Sequence, residues 1–112
     1  MDIPYITFRE LNKGKLEYYI LQKAFPHYLC RVSTNPYEEV FFKSEIPGYN
    51  MVVILVGTLR GEMVIPGYKD VNEEILAVMS NMAAWFWAER IQENHKKFEK
   101  FKIKNNAASP IK

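Results

Sequence analysis

The chain has one cysteine, two histidines and only two aspartates among 112 residues. The lone Cys30 excludes an intrachain disulfide and accords with a reducing compartment, so a cytoplasmic location is the expectation. Asp70 sits where a helix cap is needed and Asp2 lies next to the terminus, so a Ser-His-Asp triad is poorly supplied. His27 and Cys30 are three apart, which on a strand points them to opposite faces and away from a shared metal ion. Gly57 and Gly61 are not followed by the Lys-Ser/Thr of a phosphate-binding loop. The longest apolar stretches, 51–56 and 75–88, are too short or too interrupted to span a bilayer. The first residues show no basic stretch leading into an apolar run, so no signal peptide is expected. These absences predict a non-enzymatic protein with no catalytic residues, no cofactor and no metal site.

Aromatic residues are plentiful, at 14%, and charge is unevenly placed. Residues 1–68 carry seven basic and seven acidic side chains, and residues 69–94 carry two and five. Residues 95–112 carry six lysines against one glutamate, so the net charge of +2 resides in the C-terminal part.

Residues 3–66 read as β-rich. Strands are expected at 3–8, 16–25, 27–33, 38–45, 51–56 and 62–65, with turns at Asn12-Lys13-Gly14, Asn35-Pro36 and between Gly57 and Gly61. The continuous apolar run 51–56 suits a strand covered on both faces. A helix within 8–25 is the alternative: Thr7-Phe8-Arg9-Glu10 fits a capping box, and Leu16, Tyr19, Ile20 and Ala24 have helical spacing. The pattern Phe8-x-x-Leu11-x-x-Gly14 before a tyrosine-rich strand resembles the lead-in to small SH3-like barrels. Ile-Pro-Gly-Tyr occurs at 46–49 and again at 65–68, each a type II turn signal. A hairpin centred near Thr58 and Leu59 would bring Tyr49 and Tyr68 together as an aromatic mouth able to stack a base or a sugar.

Asp70 and Glu73 form a capping box at the start of a helix expected over about 70–103, followed by a frayed tail at 105–112. At 1.5 Å per residue such a helix is about 50 Å long, longer than a domain of this size is wide. Two apolar stripes separate on it. Val71, Ile75, Val78, Met79, Met82, Trp85 and Phe86 form a face suited to docking on a sheet, ended by Glu89 and Glu93. The second stripe runs through Ala77, Ser80, Ala84, Trp87, Ile91, Asn94, Phe98 and Phe101 in steps of three and four, the spacing of a coiled-coil seam.

The fold expected is therefore α+β in one domain, residues 1–104: a small antiparallel sheet or SH3-like open barrel of five to six strands, followed by one long C-terminal helix. The function expected is binding or assembly, as a homodimer or with a protein partner, through Ala84, Trp87, Ile91, Asn94, Phe98 and Phe101. An antiparallel pair would set the acidic half of one helix against the basic half of the other. A helix broken after Asn94 would instead fold this stripe back on its own sheet. The alternative function is nucleic-acid binding. Lys96, Lys97, Lys100, Lys102 and Lys104 would neutralise phosphates, and Tyr49 and Tyr68 would stack bases.

Overall fold

Lys13 and Gly14 both take positive φ, 52° and 80°, which is the backbone of a two-residue hairpin turn whose twist matches its strands. They join β1 (Tyr5–Asn12) to β2 (Lys15–Gln22) in register. The computed structural model describes residues 4–40, 42–66 and 72–103. β3 (Tyr28–Ser33), β4 (Lys43–Glu45), β5 (Val52–Arg60) and β6 (Met63–Pro66) complete a six-stranded antiparallel sheet. Its order is β1-β2-β3-β5, with β4 and β6 sharing the far side of β5. The fold is α+β, as expected, and residues 16–22 are strand rather than helix.

Period-2 alternation sorts the side chains onto two faces. Tyr5, Ile20, Cys30, Val32, Val53 and Leu55 join the core on the helix side. Val52 and Ile54 point the other way, yet are only 0% and 4% exposed. That face is crossed by residues 34–40, on the way from β3 to β4 on the opposite side of β5, as the contacts of Glu38 with Arg31 and Ser33 show. Glu38 in this crossover pairs with Arg31 and accepts from the Ser33 hydroxyl at 2.7 Å. Phe8 and Tyr19, cross-strand partners on the same face, stack with centroids 5.3 Å apart. The expected strand over 38–45 is thus confined to its last three residues. A bulge at Val56 shifts the β3–β5 register, and β5 continues to Arg60. The hairpin turn consequently lies at Gly61-Glu62, beyond the expected midpoint.

The helix α1 (Glu73–Phe86) starts at Asn72, whose side chain accepts the Ile75 N–H at 3.0 Å. The expected cap, Asp70, lies outside the described residues. α1 lies over β4 and β5, with Ile75, Met79, Met82 and Phe86 buried. Trp85 meets Tyr5 edge-on at 5.5 Å. This is the first apolar stripe, docked on the sheet as its spacing predicts.

The unbroken helix to 103 is not what forms. After Phe86 the chain makes a π-helical turn, Trp87–Ile91, closed by the Gln92 N–H donating to the Trp87 carbonyl. Ile91, the last residue of that turn, is 1% exposed and joins Phe86 in the core. Asn94 (φ −131°, ψ 46°) then ends the helical run. A short helix α2 (His95–Phe98) and a 3₁₀ turn, Glu99–Phe101, follow. Burying Phe98 drives this reversal: the ring is 3% exposed and packs on Phe86 and Tyr18. A buried phenylalanine contributes roughly 1.5–3 kcal/mol.

Candidate functional site

β2 begins at Lys15, but its pairing with β3 stops at Tyr18–Val32. The β1–β2 hairpin therefore overhangs the sheet, and α2 with its 3₁₀ turn comes alongside the overhang. Between them lies a cleft of about 470 Å³. Val32, Met51 and Phe98 make its apolar floor, with Thr34 and Asn35 at the start of the crossover on one rim. The C-terminal wall is held by backbone bonds. Asn50 N–H donates to the Phe101 carbonyl at 2.7 Å, Ile103 N–H donates to Gly48 at 2.9 Å, and Lys102 bridges Tyr49.

Cations ring this cleft. Arg9, opposite Tyr18 in the β1–β2 register, places its guanidinium 5.8 Å from the Tyr18 ring centre. Lys97 brings its ammonium 5.5 Å from the same ring, and Lys100 lies 5.1 Å from the Phe101 ring. The ring quadrupoles hold the cations in place. None of these three has a carboxylate within ion-pair distance among the described residues. Glu17 and Glu38 also line the cleft; the Arg31 guanidinium and the Ser33 hydroxyl engage Glu38 and hold its carboxyl below the usual range. The same hydrogen bond raises Arg31.

A second, shallower hollow of about 550 Å³ lies on the other side of the C-terminal segment. Its walls include Tyr49 from the β4–β5 turn, Trp87 from the π-helical turn, His95 and Lys102. The two hollows are separated by residues 49–51 laid beside residues 101–103. Met51 and Phe101 face the cleft, while Tyr49 and Lys102 face the hollow.

The residues singled out from the sequence fall into three sets. Ile91 and Phe98 of the seam belong to the core; Trp87 and Phe101 are half-buried against it; Ala84 and Asn94 are exposed. Lys96, Lys97, Lys100 and Lys102 are exposed, with Lys97 and Lys100 at the cleft and Lys102 at the hollow. Lys104 and Tyr68 lie outside the described residues, so only Tyr49 of the expected aromatic mouth is placed. Arg9 and Tyr18 were missed. A hairpin turn at Lys13-Gly14 would have paired them, since it fixes the register around itself.

Among the described residues no helix is long and apolar enough to cross a membrane, and no cluster of three or more His, Cys, Asp or Glu side chains is arranged to hold a metal. Comparison with family models, curated proteins and solved structures found no match. What defines the protein is an α+β sheet-and-helix fold carrying a basic, aromatic cleft.

Proposed function

We propose that this is a non-enzymatic binding protein whose ligand is single-stranded nucleic acid, held along residues 94–103. One observation carries the reading: Arg9 and Lys97, 88 positions apart, converge on the ring of Tyr18, and neither is ion-paired to a carboxylate among the described residues. Two like charges gathered this way repel each other, and an anion placed between them turns that repulsion into attraction. The apolar floor beside them suits a ligand that is planar as well as anionic. Lys96 and Lys102 extend the positive edge beyond the cleft, which favours a polyanion over a small ion. The free thiol of Cys30 accords with a reducing, cytoplasmic setting.

The test is fluorescence anisotropy of labelled single-stranded RNA and DNA 12-mers with the full chain, from 50 to 200 mM salt. Affinity should fall steeply with salt, and the Lys97→Glu/Lys100→Glu variant should lose most of it. Binding that ignores both salt and that variant sinks the reading. Deleting the C-terminal lysines wholesale is a poor substitute, because Phe98 is in the core.

Self-association is the second reading, favoured by Trp87 and the neighbouring Ala84, which leave part of the seam at the surface. Light scattering on the wild type and on Trp87→Glu tests it. A wild type that stays monomeric at high concentration removes it.

A further inference from the structure

We infer that Trp87 and Tyr49 form a base-stacking subsite, distinct from the cleft that holds phosphates, an assignment that rests on the single-strand reading above. The rings of the two hollows differ in what already occupies their faces. Tyr18 has Arg9 and Lys97 over it and the rings of Phe86 and Phe98 packed against it. Phe101 has Lys100. These rings anchor cations, so they are poorly placed to receive a base. Trp87 and Tyr49 have neither a ring nor a cation partner among the described residues, and both, partly buried against the core, line one hollow.

Both platforms are also fixed before any ligand arrives. Trp87 follows directly on the fully buried Phe86, and the π-helical turn that presents it is anchored by Ile91 in the core. Tyr49 is held by its N–H bond to the Ile46 carbonyl at 3.1 Å and by its bridge to Lys102. A rigid aromatic wall loses little conformational entropy on binding. His95 and Lys102 supply hydrogen-bond donors at the edge of the same hollow. A base resting on Trp87 would therefore have a positive side chain at hand for its flanking phosphate.

The two sites are close enough for one strand. Phe101 lines the cleft and Lys102 lines the hollow, and Met51 and Tyr49 repeat the arrangement two residues apart on the neighbouring segment. A single strand crossing this narrow divide places phosphates on Arg9, Lys97 and Lys100 and a base on Trp87. The stacking is sequence-tolerant, because every base offers a π-face.

Tryptophan fluorescence of the full chain, titrated with uridine and adenosine 12-mers and separately with the mononucleotides, tests this. The 12-mers should quench the emission of the partly buried Trp87. Trp87→Leu should weaken 12-mer binding roughly tenfold or more, the loss expected for one stacked base, with the salt slope unchanged. Trp87→Phe should recover part of the affinity. If Trp87→Leu folds poorly, Tyr49→Leu serves, with the same expected direction. Wild-type affinity in both leucine variants, with emission unquenched, overturns the subsite and leaves the single-strand reading standing. Mononucleotides that bind as tightly as 12-mers overturn it in favour of a free-nucleotide site, and a Trp87→Leu change that only converts a dimer to a monomer overturns it in favour of a second copy. Failure of every 12-mer to bind the wild type is failure of the single-strand reading itself.

Discussion

Phe98 sets its ring edge-on against Phe86, with centroids 5.8 Å apart and planes 82° apart. This contact folds the end of the chain back onto the helix it has just left. It also fixes the cleft, because Lys97 and Lys100 flank Phe98 and take their positions from its burial. The same residue thus belongs to the core through its ring and to the candidate site through its neighbours.

Replacing Phe98 with alanine should cost about 3–5 kcal/mol, the usual range for deleting a buried phenylalanine ring. That is a large fraction of the stability of a small domain. Urea denaturation followed by tryptophan emission measures it. Phe98→Leu should retain most of the stability, because it keeps an apolar side chain in the same space. A loss below about 1 kcal/mol for the alanine variant would show that the C-terminal segment does not hold the position described here.

Local signals made much of the sheet legible. Lys13-Gly14 announced its hairpin, and the apolar run beginning at Met51 announced a strand covered on both faces. The crossover was not legible, because Val40, Phe41 and Phe42 look like strand residues while the interaction that holds the segment off the sheet edge is Glu38 with Arg31, a tertiary pairing. The C-terminal reversal escaped for a similar reason. A 3.6-residue period places Ile91 and Phe98 on one outward seam, whereas the helical run ends at Asn94 and both residues are buried. Half of the cleft was readable as lysines spaced around aromatic residues. The other half, Arg9 and Tyr18, required strand register and the fold of the chain end at once.

Gly57 lies where β5 meets β6, and a Cβ there would collide with the backbone carbonyl oxygen of Ile65. Backbone cannot rotate away as a side chain can. Gly57→Ala should therefore destabilise by about 1–3 kcal/mol, as overpacked sites do. Oligonucleotide binding should be unaffected under conditions where the variant is folded, since neither hollow includes this strand pair. Thermal unfolding and anisotropy on the same sample check both halves.

Cys30 is fully buried, and burial pushes its thiol up to about 12. The thiolate is the reactive species, so the native protein should react with Ellman's reagent far more slowly than the urea-unfolded chain. Cys30→Ala should be mildly destabilising. Cys30→Ser should cost more, about 1–3 kcal/mol, because it buries a hydroxyl among apolar side chains. Rapid labelling of the native protein would contradict the burial.

Glu38 contributes to stability in a pH-dependent way. Its carboxyl is held below the ordinary value by Arg31, with help from Ser33. A depressed folded-state value means the contribution is fully present above the unfolded carboxyl range, near 4.3, and is lost as pH falls through the lower folded value. Wild type should exceed Glu38→Gln in stability at pH 7, and the gap should close below about pH 4. The pair is partly exposed, so the gap should be modest, about 1 kcal/mol or less. Urea midpoints at pH 7, 5 and 3 for the two proteins measure it. A gap that widens on acidification would contradict the assignment.

Arg9 and Lys97 offer a sharper separation of binding from folding. Both cations approach Tyr18, and neither has a carboxylate partner among the described residues. Removing either charge relieves repulsion from the other while giving up a cation–π contact of about 0.5–1 kcal/mol at an exposed site. The two effects oppose each other, so Arg9→Gln and Lys97→Gln should each leave stability within about 0.5 kcal/mol of wild type. Binding should behave differently. Each lost phosphate contact should weaken 12-mer affinity and lower the salt slope by about one, and the double variant should lose about two. A purely structural pair would show the reverse, a shared stability loss with the salt slope intact. Anisotropy across the salt series, set beside urea unfolding of the same three variants, decides between them.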